Sequence, residues 1–476
     1  MIRHIKIVVS ICVVVILHSC GPTKTIREAD TSSVPDHYKG TISDSLNTAS
    51  VKWKDYFKDE NLKSLIEVAL QNNQELNIVM QEIAVAQSEV KEKKGEYLPF
   101  VDLQAGGGLE KVGRYTSQGA NDANTEISPG EEFPEPLGDF LVEARANWEI
   151  DIWHKLRNAK KAAVMRYLSS VEGRNFMVTN LISEIANSYY KLLALDSQLT
   201  IVKQNIDIQN NALEIVKLQK SAARVTELAV KRFEAEVFHT RSLQFDIQQE
   251  IVQKENEINF LLGRYPQPIA RETNGFESLV PETVHMGLPS QLLANRPDIK
   301  QAELDLMAAK LDVKVAKARF YPSLGLSAGI GFQSFNTKYL LETPESLIYS
   351  VFGDLTAPLI NRNAIKAAYN GASAKQLQAV YNYEQTILNA YVEVVNQLAK
   401  IDNLEKSYDL RSKEVDALTV SIDISNRLFT SARADYMEVL LTQRDALEAR
   451  VELVETKQQQ MGAVVNVYRA LGGGWN

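Results

Sequence analysis

Phe140-Leu141-Val142-Glu143-Ala144-Arg145-Ala146-Asn147-Trp148-Glu149-Ile150-Asp151-Ile152 is the stretch on which the fold turns. Its even positions are apolar: Phe140, Val142, Ala144, Ala146, Trp148, Ile150 and Ile152. Its odd positions are Leu141, Glu143, Arg145, Asn147, Glu149 and Asp151, most of them charged or polar. Successive side chains of a strand point to opposite faces, so this spacing predicts a strand with one apolar and one polar face. A second strand sets Val101, Leu103, Ala105 and Leu109 against Asp102, Gln104 and Glu110. A third sets Leu324, Leu326, Ala328, Ile330 and Phe332 against Ser323, Ser327 and Gln333. The fourth, Leu347 to Pro358, alternates less cleanly, because Phe352 falls on its polar side.

Strands of about 10–13 residues are long enough to cross a bilayer at a tilt. Trp148 and Trp153 lie near one strand end, where an aromatic girdle sits in membrane barrels. The same alternation also fits a half-buried sheet packed on helices. In a bilayer, four strands cannot close, because the smallest barrels need about 8 and unpaired backbone in lipid is costly. A membrane barrel would therefore be shared: about 8 strands from two copies or about 12 from three. Spacing alone does not choose.

Between the strands lie long segments without helix breakers. From Trp153 to Ala222 there is no proline and only Gly173, enough for a helix of about 70 residues and about 100 Å. Ala364 to Ser431 is comparable, and a second breaker-poor run follows each, to Gly263 and to Gly472. Leu404, Tyr408, the Arg411 stem, Val415, Leu418 and Ile422 recur at steps of three and four, the coiled-coil pattern.

The halves match each other. Glu96-Tyr97-Leu98-Pro99 aligns with Arg319-Phe320-Tyr321-Pro322, Leu218 to Ala222 with Leu428 to Ala432, and Leu261-Leu262-Gly263 with Ala470-Leu471-Gly472. The expected organisation is a signal segment (1–19), a lipidated N-terminal segment (20–60) and a first repeat (61–263). That repeat holds strands near 97–110 and 139–152 and a helix pair over 153–263. A linker (264–294), a second repeat (295–472) and a tail (473–476) complete the chain. The second repeat holds a helix, strands near 320–333 and 346–358 and a helix pair over 360–472.

The N-terminus reads as a secretory signal: Arg3 and Lys6, then the apolar run Ile7 to Leu17. It ends in Leu17-His18-Ser19-Cys20-Gly21, which resembles a lipobox, although His18 departs from the usual small residue. Of the 2 cysteines, Cys12 lies within the signal, so Cys20 alone would remain after cleavage. A lone cysteine there is expected to be the acylated lipid anchor. Pro22 in place of aspartate lacks the inner-membrane retention signal of enterobacterial lipoproteins. The net charge of -8 argues against a nucleic-acid partner. No internal run of about 20 apolar residues predicts a membrane helix.

Catalytic and metal motifs are weak. Gly325-Leu326-Ser327-Ala328-Gly329 matches the nucleophile pattern G-x-S-x-G, but no histidine follows Ser327 and the glycines fit a strand in period-two register. His37, His154, His239 and His285 are scattered, without zinc spacing. No enzyme, metal or cofactor is expected.

The chain resembles the outer-membrane efflux proteins of the TolC/OprM/NodT type over nearly all of its mature length. Trp53-Lys54-Asp55-Tyr56-Phe57-Lys58-Asp59-Glu60-Asn61-Leu62 is similar to the family's opening segment. Asn295-Arg296-Pro297-Asp298-Ile299 resembles its arginine-proline-aspartate signature. Trp148 to Trp153 and Ala357-Pro358-Leu359-Ile360-Asn361 resemble its strand-to-helix junctions. The resemblance implies an α+β membrane protein: a homotrimer sharing a 12-stranded β-barrel, four strands per chain, continuous with a periplasmic α-helical coiled-coil barrel. It makes residues 264–294 an equatorial linker. It also implies a lipid-anchored place in the outer membrane, a periplasmic adaptor (a membrane fusion protein) and an inner-membrane pump of the RND type. The function implied is passive conduction of exported solute; the alternative is a periplasmic structural coiled-coil lipoprotein.

In that family the tunnel closes where the long helices of each half meet, here Ser221 to Thr226 and Ser431 to Tyr436. Acidic rings often follow the second break. Glu438 falls on the first such position and Leu441 on the next, which departs from the acidic pattern. Glu438, Leu441, Asp435 and Thr226 are the candidate gate residues. The polar latch of TolC would fall on Phe429, Ala434 and Ala229, which cannot reproduce it.

Overall fold

A computed structural model describes residues 27–29, 35, 37–38, 47–272, 275–281, 285–360, 362–431 and 433–475. The signal segment and Cys20 lie outside the described residues. The main elements are α1 (Glu60–Asn72), α2 (Gln74–Glu96), β1 (Phe100–Glu110), β2 (Leu137–Ile150), α3 (Lys155–Ser221), α4 (Glu227–Leu261), α5 (Pro297–Ala318), β3 (Ser323–Ser334), β4 (Leu347–Thr356), α6 (Asn363–Thr430) and α7 (Tyr436–Ala470). Among the described residues, no helix is long and apolar enough to cross a membrane. Two compact units interleave along the chain, so neither corresponds to one sequence half.

Among the described residues, the first unit comprises 27–28, 84–168, 304–360 and 362–381. Its centre is an antiparallel sheet in the order β1-β2-β3-β4. The register gathers the apolar positions of all four strands on one face. Leu103 pairs with Ala144, Ala144 with Ile330, and Ile330 with Tyr349. Val101, Leu103, Leu109, Tyr349, Val351 and Leu355 on this face are exposed. Within the described sheet, β1 and β4 are edge strands with no outer neighbour.

β2 ends at Ile150, two residues short of the expected limit, because Asp151 turns to cap α3. Its carboxylate accepts the Leu156 N–H at 3.0 Å and the Arg157 N–H at 2.9 Å, satisfying donors that a helix start leaves unpaired. The Arg157 side chain adds Nε at 3.2 Å. Burial raises the Asp151 pKa, but the two N–H groups and the guanidinium outweigh it and hold the carboxyl below its ordinary value. The expected helix start at Trp153 accordingly moves to Lys155. Trp153 stacks on Tyr321, centroids 4.7 Å apart, and donates to the Pro322 carbonyl at 2.7 Å. This fixes the start of β3 beside the end of β2.

The second unit takes in the described residues within 29–83, 169–303 and 382–475. The opening segment is its keystone. Trp53, Tyr56, Phe57, Leu62, Leu65, Ile66 and Ala69 are buried with Ile182, Ile185 and Tyr189 of α3, Ile258 of α4, and Val464 and Tyr468 of α7. Tyr56 stacks on Tyr468 at 4.0 Å. Asp59 caps α1 and accepts the Tyr189 hydroxyl at 2.7 Å.

Two helix ends are closed in parallel fashion. Arg296 Nη1 donates to the Ala470 carbonyl at 2.7 Å, and Asn73 Nδ2 to the Leu261 carbonyl at 2.9 Å. Each carbonyl would otherwise be an orphan at a helix C-terminus. Gly472 (φ 92°) and Gly263 (φ 66°) follow, in the left-handed region favoured after a helix. A Cβ at Gly472 would meet the Asn295 carbonyl oxygen at 2.7 Å.

Candidate functional site

The helix breaks carry the candidate gate residues. α3 ends with the Arg224 N–H on the Gln219 carbonyl and the Ala223 N–H on that of Lys220, both at 2.9 Å, with Ala223 left-handed (φ 57°). This is the six-to-one and five-to-two pairing of a Schellman end. α6 ends with the same six-to-one bond, Arg433 N–H to the Leu428 carbonyl at 2.9 Å. Thr226 and Asp435 then open α4 and α7 as extended residues, and neither side chain caps its helix. Carboxylates at Asp435 and Glu438 suit the positive end of α7.

On α7, Glu438 is exposed and Leu441, three residues on, is 40% exposed. Asp445 and Glu448 extend the same exposed face at helical spacing. Among the described residues, Asp435 and Glu438 form no ion pair. The opposite face holds the helices: Val439 and Leu440 are buried with Leu213, Val216, Ala229, Val230, Phe233 and Val237, and Phe429 packs against them. So Asp435, Glu438 and Leu441 share one exposed helix start. Thr226 is exposed at the other break. Phe429 and Ala229 belong to an apolar cluster rather than a polar latch.

One buried layer escaped the sequence reading. Gln209, Thr240 and Gln443 are 0%, 0% and 1% exposed. They lie between the apolar cluster above and a second one of Leu195, Val202, Ile206, Ile247 and Leu447. Among the described residues, neither amide atom of Gln209 finds a hydrogen-bond partner. The steps 202, 206, 209, 213 and 216 place Gln209 on the core seam, a signal the heptad pattern holds. A polar residue there costs stability and specifies helix register.

The Arg296 signature was legible, but not its partners. Arg296 pairs with Asp298 at 2.7 Å and with Glu393 at 2.9 Å, and Glu393 also holds Arg469 at 2.5 Å. Burial opposes the Arg296 charge, but the two carboxylates outweigh it and raise its pKa. Phe176, Thr179 and Gly472 help line a cavity of about 340 Å³ beside this cluster.

On the sheet, the polar face carries Asp102, Glu143, Arg145, Asn147, Glu149, Ser327 and Asp354. Glu143 is buried and pairs with Arg145 at 2.7 Å. The sheet is thus amphipathic and open at both edges, and its strands lead into the long helices.

A family model described as outer membrane efflux protein matches residues 65–264 and 288–473. The pyoverdine export outer membrane protein OpmQ of Pseudomonas aeruginosa is 27% identical over 461 residues, covering 97% of this chain and 95% of its own. The probable outer membrane lipoprotein SilC of Salmonella typhimurium is 26% identical over 475 residues, 98% of each chain. A crystal structure of CusC, described as a transmembrane channel, superposes with a TM-score of 0.83 at 24% identity, covering 96% of this chain and 100% of that one.

Proposed function

The chain belongs to the outer membrane efflux protein family, and we propose that three copies build a lipid-anchored duct conducting exported solute passively across the outer membrane. The observation that carries this reading is the open, amphipathic four-stranded sheet. An open edge in lipid leaves backbone groups unpaired, and closure across copies removes it. Three sheets give about 12 strands, the number the family resemblance implies. The exposed apolar face then meets lipid, and the face bearing Asp102, Arg145 and Glu149 meets water.

In this reading the two halves are an internal repeat, and the helix pairs α3–α4 and α6–α7 line a periplasmic tunnel. The breaks at Thr226 and Asp435 form its gate, with a Glu438 ring beside a Leu441 constriction. A periplasmic adaptor and an inner-membrane pump, of the RND type, supply the solute and the energy. Cys20 carries acyl chains after cleavage of residues 1–19. No catalytic step is assigned to the chain.

Native mass spectrometry in detergent tests the assembly. A trimer of acylated, cleaved chains is expected. A dominant folded monomer or dimer would sink the shared barrel, and an intact mass without acyl addition would remove the anchor.

A further inference from the structure

Phe352, the residue that spoils the alternation of β4, has a counterpart. Phe100 and Phe352 occupy one register row, Phe100–Asn147–Ser327–Phe352, on the polar face of the sheet. They are 70% and 68% exposed, so neither is a core residue. An apolar ring left on a wetted face forgoes the stabilisation that burial would give. Two residues beyond each, on the same face, stands an aspartate: Asp102 after Phe100 and Asp354 after Phe352. Among the described residues, neither aspartate has an ion-pair partner.

The surroundings leave the Phe352 ring accessible. Its cross-strand partner is Ser327, and the diagonal neighbours on β3 are Gly325 and Gly329. Phe100 faces Asn147, with Glu149 on one diagonal and Arg145 on the other; Arg145 is also the cross-strand partner of Asp102, but its guanidinium is paired with Glu143 at 2.7 Å. The net charge of the whole face is negative. Asp102, Glu110, Asp139, Glu143, Glu149 and Asp354 stand against Arg145 alone. A ring face attracts a cation through its quadrupole and stacks on an aromatic ring, which an alkyl cation lacks, and a carboxylate about 7 Å along the same strand adds charge attraction. An anion meets repulsion there, and a small hydrated cation gains nothing from the ring.

We propose that Phe100–Asp102 and Phe352–Asp354 are two binding points for organic cations bearing aromatic surface, set in the conducting wall. The inference rests on the channel reading, which places this face toward the solute, and it names a solute class that the channel favours.

Single-channel recordings of the full-length protein in planar bilayers test it, with tetraphenylphosphonium and tetrabutylammonium as blockers of equal charge. In the unaltered protein, half-block by the aromatic cation should need about threefold less blocker. Phe100→Leu with Phe352→Leu keeps apolar volume but removes the rings, and the preference should vanish. Phe100→Tyr with Phe352→Tyr should retain it. Equal block by the two cations in the unaltered protein, or a preference that survives the leucine changes, would overturn the inference and leave the channel intact. Leucine variants whose trimers lose heat resistance while keeping the preference would also overturn it, assigning the rings to contacts between copies. Absence of current steps would overturn the channel reading and this inference with it.

Discussion

Arg296 Nη1 lies 2.9 Å from Glu393 Oε2 and 2.7 Å from the Ala470 carbonyl, so one buried guanidinium joins the start of α5 to α6 and to the end of α7. Removing one partner of a buried ion pair leaves the other charged and uncompensated. Arg296→Ala is therefore expected to destabilise the protein by about 3–5 kcal/mol. Arg296→Lys should recover part of this, because a single ammonium cannot replace the forked donor. Thermal unfolding followed by circular dichroism checks both. Equal melting of the Ala variant and the parent would show the cluster to be dispensable.

Asp151 sets a dependence on acidity. Its folded pKa is lowered, so the capping contribution is complete above the unfolded value of about 3.9 and lost as pH falls through the still lower folded value. Stability should thus fall below about pH 4. Asp151→Asn keeps an acceptor for one N–H but loses the charge, and should cost about 1 kcal/mol at neutral pH. Melting of parent and variant between neutrality and pH 3 should converge at the acid end. Parallel curves across the range would show that the Asp151 charge does not cap α3.

Val142 and Leu326 lie on the apolar face of the sheet, and Asn147 on the polar one. With the apolar face in lipid, Val142→Arg or Leu326→Arg should cost about 2–4 kcal/mol near the bilayer midplane. Asn147→Arg should be mild. Heat resistance of the outer-membrane trimer on gels reads the difference. Equal losses from both faces would contradict the assignment of lipid and water.

In the proposed gate, three Glu438 carboxylates around a narrow axis would attract cations and repel one another. Glu438→Gln should weaken cation preference and block by multivalent cations, without loss of assembly, because the helices are held by the Val439 and Leu440 face. Leu441→Ala should raise resting conductance. Unchanged selectivity would make Glu438 a solvated helix residue, and unchanged conductance would move the gate elsewhere.

Much of this was legible in the sequence because the periods are simple. A period of two fixed which residues of β1 to β3 share a face, and even the misfit of Phe352 was visible. The lack of proline between Trp153 and Ala222 marked a helix that runs from Lys155 to Ser221. The remainder depends on distance in the fold. Glu393 is 97 residues from Arg296, and no local pattern joins them. Asp151 read as a strand position because its alternation continues, whereas its carboxylate is used by the helix that follows. Gln209 was hidden by its neighbours, since the apolar steps on either side read as an unbroken seam.

Closure of sheets from several copies into a pore is open to single-channel recording of the purified, folded trimer in a planar bilayer. Discrete unitary current steps are expected, enlarged by Leu441→Ala. A folded trimer that inserts into the bilayer and passes no ionic current, with or without that substitution, would contradict it.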